Sequence, residues 1–97
     1  MNQRTVLEIA AIVGNEYEVE GKELLAARSE HVEARKLLIE LCYRCCLETR
    51  TLKQLGEELG GISGSGIARV HERLKKTIEE DQSLSEKLER LIKRVCQ

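Results

Sequence analysis

The sequence predicts an all-α fold of about six helices, in a single domain that spans residues 1–97. The chain contains no proline, the residue that interrupts helix interiors most strongly. Residues that favour helices (Leu, Glu, Lys, Arg and Ala) dominate its composition. Apolar residues also recur at three- and four-residue steps, as they do on one face of a helix. A chain of 97 residues is typical of one domain with a modest core.

Three helices are predicted in the first half of the chain. The first covers about residues 4–13, and Gly14-Asn15 is expected to end it. A short second helix is expected at about residues 21–27. Ser29 is the predicted N-cap of a long third helix that ends near Cys46. Its apolar stripe is the widest in the chain, so this helix should be central. The stripe contains Val32, Leu37, Leu38, Leu41, Cys42 and Cys45.

Three more helices are predicted after the polar residues 48–50. Thr51 and Gln54 have the spacing of a capping box, so a fourth helix should begin there and end at Gly60. Ser63 is the predicted N-cap of a fifth helix. Ser83, with Glu86 three residues later, is predicted to open a sixth helix at about residues 83–95. Their expected buried residues are Leu52, Leu55 and Leu59, then Ile67, Val70, Leu74 and Ile78, then Leu84, Leu88, Leu91, Ile92 and Val95.

Charge is distributed unevenly along the chain. The net charge is −1, but residues 50–76 carry six basic and three acidic side chains, a local excess of +3, whereas residues 1–49 carry −3. An anionic partner is therefore expected at the fourth and fifth helices. With two tyrosines and no Phe or Trp, the chain lacks the aromatic platforms on which single-stranded nucleic acids stack.

The glycine-rich stretch GGISGSGIARV, residues 60–70, has two alternative interpretations: a loop that binds nucleotide phosphates, or a turn between two helices. A P-loop requires Lys and then Ser or Thr after its second glycine, but Ile67 and Ala68 stand there. The dinucleotide pattern G-x-G-x-x-G also fails, because Arg69 occupies its last position. We therefore expect neither a nucleotide site nor a cofactor.

The spacing of small residues favours a helix-turn-helix at about residues 51–78. Gly56 is predicted to lie where the two helices cross, and Gly60 to adopt a positive φ in the turn. The buried positions after the turn come one residue later than in the commonest form, so Gly61 is the expected extra residue. An ordinary helical hairpin with a glycine linker is the alternative interpretation.

The cysteines and histidines are not expected to form a site. Cys42, Cys45 and Cys46 lie on one segment without a second ligand pair, so we expect reduced cysteines and no metal. His31 and His71, which have no nearby acid pair in the sequence, are expected to be surface or packing residues. No nucleophile–base pair is evident, so no enzymatic activity is expected. The absence of a membrane-length apolar run and of a signal peptide favours the cytoplasm.

The stretch LGGISGSGIARV resembles the signature turn and recognition helix of the C-terminal DNA-binding domain of the bacterial replication initiator DnaA, roughly G-G-R-D-H-[ST]-[ST]-V. LLAARSEHVEARKLLIELCYR and TLKQLGEELGG resemble that domain's central helix and first helix-turn-helix helix. The resemblance covers about residues 4–80 and implies a six-helix, Trp-repressor-like fold that binds double-stranded DNA. It places Arg28 near a minor groove. Ile62, Ser63 and Gly64 replace the family's Arg, Asp and His, so the initiator's own target site is not expected.

The turn is more similar to the DnaA-like domain appended to REP-associated tyrosine transposases, which often reads GGxSxSxVSRAVxR. His31 and His71 cannot form the transposase metal motif, so the resemblance implies a non-catalytic DNA-binding fragment or stand-alone relative. The residues expected to contact DNA are Arg28, Lys53, Ser63, Gly64, Ser65, Gly66, Arg69, Arg73 and Lys76. The alternative is a protein-interaction module, whose sixth helix pairs with a second copy or with a host domain.

Overall fold

The computed structural model describes residues 5–26, 30–46 and 50–95. Their regular secondary structure consists of six α-helices, and no strand occurs among them. The all-α prediction is therefore confirmed. In chain order the helices are α1 (Val6–Tyr17), α2 (Gly21–Leu24), α3 (Val32–Cys45), α4 (Leu52–Glu58), α5 (Gly64–Glu80) and α6 (Gln82–Val95).

Helix α1 begins with a capping box and continues past its predicted end. The hydroxyl of Thr5 accepts a hydrogen bond from the Glu8 amide at 3.1 Å, and the Thr5 amide donates to the Glu8 carboxylate at 3.0 Å. Gly14 lies buried within α1, and the amide of Val19 donates to its carbonyl oxygen at 2.8 Å. A Cβ at Gly14 would overlap with the Val19 carbonyl oxygen. The expectation that Gly14-Asn15 ends the helix was wrong, because this glycine allows the following loop to approach α1 closely.

Helix α3 is the central helix, as predicted, since it packs against each of the other five helices. Its predicted Ser29 cap lies outside the described residues, and His31 occupies the N-cap position. Two expected members of its buried stripe are not buried. Val32 exposes 57% of its surface and Cys45 is half-buried, whereas Cys46 is buried in the core. The Val32 side chain therefore points away from the core, although Ala34 in the same turn is buried.

Helix α6 begins one residue before its predicted cap. The Asp81 carboxylate accepts a hydrogen bond from the Leu84 amide at 3.1 Å, so Asp81 and not Ser83 caps the helix. The prediction failed because an aspartate two residues earlier satisfies the same free amides. Leu84, Leu88 and Leu91 are buried against α1, α3 and α5, as is Val95, so α6 covers the core.

No helix in residues 5–26, 30–46 or 50–95 is long and apolar enough to cross a membrane.

Candidate nucleic-acid interface

Helix α4 and the turn after it have the predicted local structure. The Thr51 hydroxyl accepts a hydrogen bond from the Gln54 amide at 3.2 Å, and the Thr51 amide donates to the Gln54 side chain at 2.9 Å. Gly60 and Gly61 then adopt φ angles of 90° and 88°. These angles lie in the left-handed region, where a Cβ would introduce strain. Both turn glycines are therefore required by the backbone.

Gly56 is buried where the turn folds back onto α4. Its carbonyl oxygen accepts hydrogen bonds from the amides of Gly61 and Ile62, at 2.8 and 3.0 Å. A Cβ at Gly56 would overlap with the Ile62 carbonyl oxygen and would lie 3.8 Å from Cδ1 of Ile67 on α5. A small residue is needed here, as predicted, although the turn backbone crowds this position more than the crossing helix does.

Helix α5 begins with a polar surface whose glycines pack closely. The Ser63 hydroxyl accepts a hydrogen bond from the Gly66 amide at 3.0 Å, which confirms Ser63 as the N-cap, and lies 3.2 Å from the Ser65 hydroxyl. A Cβ at Gly64 would lie 3.1 Å from Cβ of Leu52, and one at Gly66 would lie 2.9 Å from Cγ1 of Ile62. Gly64 and Gly66 therefore allow α5 to start close against α4 and the turn.

The rest of α5 is amphipathic in the predicted direction. Ile67 and Leu74 are buried, and Val70 and Ile78 are half-buried against the core. The opposite face is exposed and carries Ser65, Arg69, Glu72, Arg73 and Lys76.

The lysines and arginines of α4 and α5 form no ion pair with any described residue. Lys53, Arg69, Arg73, Lys75 and Lys76 have no charged partner among the described residues. In the described part of the chain, three basic side chains outside these two helices also lack a charged partner: Arg35, which donates to two backbone carbonyl oxygens, Lys36 and Lys93. The other basic side chains have polar partners, for example in the pairs Lys22–Glu20, Arg44–Glu40, Arg50–Glu58, Lys87–Glu33 and Arg90–Glu16. Most of the unpaired cations of the described residues therefore lie on α4 and α5, which also carry the exposed acids Glu57, Glu72, Glu79 and Glu80.

A buried carboxylate connects α5 to the central helix. Glu40 is only 1% exposed, and its two oxygens lie 2.7 and 3.0 Å from Nδ1 of His71 on α5. Arg44, one turn later on α3, donates from Nε to the same carboxylate. The Tyr43 ring packs on the imidazole with a centroid separation of 4.7 Å. Because an ionised carboxylate only accepts hydrogen bonds, the His71 Nδ1–H donates to it.

Sequence reasoning missed this cluster. His71 is a packing residue, as expected, and its acidic partner Glu40 is 31 positions away in the chain, where no local spacing points to it. A signal was present, because Glu40 stands beside Leu41 and one helical turn after Leu37 on the predicted buried stripe. A charged residue on an apolar stripe is rare unless it has a partner.

Arg35 connects two helix ends. Its guanidinium donates to the carbonyl oxygen of Leu24 at 2.8 Å and to that of Leu59 at 2.6 Å. These oxygens belong to the end of α2 and to the residue that ends α4, where carbonyl groups lack helical partners. Burial lowers the pKa of Arg35. Arg35 thus fixes the last turn of α4, from which the glycine turn departs.

Cys42 and Cys45 on α3 and Cys46 directly after it form no disulfide with one another; Cys42 and Cys46 are buried and Cys45 is half-buried. A hydrogen bond between Cys42 and Cys46 raises the pKa of Cys42 and lowers the pKa of Cys46. The positive charge of Arg50 also lowers the pKa of Cys46. Within the described residues, no group of three or more His, Cys, Asp or Glu side chains is arranged to hold a metal ion. Cys96 lies outside those residues.

The structure brings the described members of the expected DNA-contacting set together on α4, the turn and α5. Lys53, Ser63, Ser65, Arg69, Arg73 and Lys76 are exposed, whereas Gly64 and Gly66 are half-buried. Arg28 lies outside the described residues. Arg73 also lines a cleft between α3, α5 and α6.

The chain matches no known protein-family model, and no curated protein is detectably similar to it in sequence.

Proposed function

We propose that α4, the turn and α5 form a helix-turn-helix that binds double-stranded DNA, with α5 in the major groove. The observation that carries the proposal is the set of five exposed cations on these two helices that form no ion pair within the described residues. Free cations lose no existing ion pair when they meet phosphates, and they release counterions from the duplex. The glycine turn and the Glu40–His71 contact support the proposal, because they hold α5 in one orientation with its basic face outward.

Each side chain has a distinct role in this proposal. Arg69 and Arg73 are the long donors in the first three turns of α5, and they reach base edges or the adjacent backbone. Lys53 and Lys76 contact phosphates, which gives affinity without sequence information. The hydroxyls of Ser63 and Ser65 lie at the α5 N-terminus, where the helix dipole favours a phosphate. Arg28 reaches the neighbouring minor groove, as the family resemblance implies.

The same proposal covers the biological setting. The chain acts without a catalytic step, in the bacterial cytoplasm, as a DnaA-like DNA-binding domain of the kind that accompanies REP-associated transposases. The sequence motifs in residues 51–70 support this part of the proposal. No detectable relative adds to that support.

The protein-interaction alternative has less support. The apolar stripe of α6 is buried in the core, and the outward positions of that helix are polar or charged. Helix α6 therefore has no extended apolar face left for a second copy or a host domain.

Duplex binding across a salt series tests the proposal. The full chain should bind random-sequence duplex DNA with an affinity that falls steeply as salt rises. Lys76→Ala should weaken binding to every sequence and make the salt slope shallower by about one unit. Arg69→Ala should weaken binding by about 1–3 kcal/mol if Arg69 reads a base.

Lys93→Ala is the matched control, because Lys93 is exposed and has no ion pair in the described part of the chain but lies on α6. If Arg69→Ala, Lys76→Ala and Lys93→Ala all bind duplex as the wild type does, α5 is not the DNA-binding helix.

A further inference from the structure

A cleft of about 340 Å³ lies between the start of α3, the middle of α5 and the start of α6. The three helices contribute its apolar lining, which consists of Val32, Val70, Leu74 and Leu84. Val32 is among the most exposed large apolar side chains of the described residues, and it stands at this cleft. Small-molecule sites have volumes of roughly 300–1,000 Å³ and apolar walls with a few orienting polar groups. The cleft has the size and the lining of a site for a small ligand.

Two cations line the same cleft, Lys36 from α3 and Arg73 from α5. Neither has an ion-pair partner in residues 5–26, 30–46 or 50–95. An arginine can hold a carboxylate through two parallel hydrogen bonds, and a lysine adds a point charge. The cleft therefore offers an unused anion-binding pair next to an apolar surface.

Two carboxylates also line the cleft, but both already have partners. Glu33 accepts a hydrogen bond from the Tyr17 hydroxyl at 2.5 Å and lies 3.3 Å from the Lys87 ammonium. Asp81 accepts from the Leu84 amide at the start of α6, where the helix dipole stabilises its negative charge. Lys36 and Arg73 therefore form no ion pair with either carboxylate within the described residues, and their donors are available to a ligand.

We propose that this cleft binds a small organic anion with one compact apolar group. Lys36 and Arg73 hold its carboxylate, and the four apolar side chains surround its apolar group. The site itself does not depend on the proposed DNA-binding function. One consequence does: Arg73 belongs to the expected DNA-contacting set, so a carboxylate bound to Arg73 lowers the affinity of α5 for DNA.

Amide chemical shifts of the full chain, titrated with phenylacetate, test the site directly. Phenylacetate should bind in the millimolar range and shift the amides of Val32, Thr77 and Leu84. Phenylacetamide has the same ring without the charge and should bind more weakly. Lys36→Gln and Arg73→Gln should each weaken phenylacetate binding by about tenfold, since each removes a charge-assisted contact. Lys93→Gln, on α6, should leave it unchanged.

The proposal is overturned if phenylacetate shifts no cleft amide, if the amide binds as tightly as the acid, or if the Lys36 and Arg73 variants bind as the wild type does. A second titration measures duplex binding with phenylacetate or with chloride at matched ionic strength. If DNA binding is weaker in phenylacetate than in chloride, the coupling is supported. If DNA binding is equal in the two salts, the coupling is refuted. If the wild type binds no DNA at all, the proposed function fails, while the amide shifts still decide whether the cleft is a site.

Discussion

Gly56→Ala should destabilise the protein, although helix propensity predicts the opposite. Alanine is favoured over glycine in a helix interior by about 1 kcal/mol. At Gly56, however, the new Cβ would overlap with the backbone oxygen of Ile62, so the turn must move by about 1 Å to restore a separation of 3.0 Å. That oxygen cannot rotate away as a flexible side chain can.

The displacement has two consequences. It disturbs the hydrogen bonds from Gly61 and Ile62 to the Gly56 carbonyl oxygen, each of which contributes about 0.5–1.5 kcal/mol. It also produces overpacking beside Ile67, which typically costs about 1–3 kcal/mol. After subtraction of the propensity gain, these contributions leave a net loss of about 1–5 kcal/mol, centred on about 3 kcal/mol. For a chain of this size, a loss of about 3 kcal/mol lowers the melting temperature by roughly 15 °C.

Urea denaturation followed by far-ultraviolet circular dichroism measures this difference. Glu57→Ala is the control on the same helix, because the Glu57 side chain is exposed on α4. An exposed substitution of this kind should change the free energy of unfolding by less than about 0.5 kcal/mol. If Gly56→Ala raises the midpoint, the turn does not crowd α4 and the steric argument is refuted.

Four further substitutions test other contacts by their effect on stability or binding. Glu40→Ala should cost about 2–3 kcal/mol in urea denaturation, since it leaves His71 and Arg44 without their shared carboxylate; Glu57→Ala, at an exposed acid, is the control. Ser63→Ala should cost about 1 kcal/mol through loss of the α5 cap, and an unchanged midpoint would contradict that role. Glu72→Gln should raise duplex affinity severalfold at low salt, because it removes a negative charge from the basic face of α5; Glu89→Gln on α6 should not. Burial and the hydrogen bond to Glu33 raise the pKa of Tyr17 above its ordinary value of 10.0, so its contribution to stability is fully present below pH 10.0 and decreases above it. The unfolding free energy of Tyr17→Phe should therefore depend less on pH in that alkaline range, and parallel curves for the two proteins would contradict this assignment.

The sequence predicted the features that depend on local chemistry. Thr51 and Ser63 cap their helices because each hydroxyl accepts a hydrogen bond from the free backbone amide three residues later. This bond forms wherever the helix lies in the fold. Gly60 has a positive φ because the turn requires one, again a local constraint. For the same reason, the stripes on α3, α5 and α6 indicated which faces are buried.

What the sequence could not supply depends on contacts between distant segments. Gly14 was predicted to end α1 because glycine is common at helix ends. Its actual role, inside the helix, depends on where the carbonyl group of Val19 lies in the fold. The Glu40–His71 pair and the two carbonyl contacts of Arg35 join residues 11 to 31 positions apart. None of these pairs has a fixed spacing that a pattern could reveal. The cleft also depends on the relative placement of three helices.

The packing of the turn limits how α5 could read DNA. Gly64 and Gly66 let α5 start against Leu52 and Ile62, but they present no side chain to a groove. Ser63 and Ser65 offer only short hydroxyls, and the Ser63 oxygen already accepts the Gly66 amide. In the proposed complex, base contacts from this helix would therefore fall to Arg69 and Arg73, beyond the first turn. The remaining contacts of the proposed domain go to phosphates, which carry no sequence information. Its affinity for a target sequence should therefore exceed its affinity for random duplex by a smaller factor than in a domain whose recognition helix reads bases from its first turn.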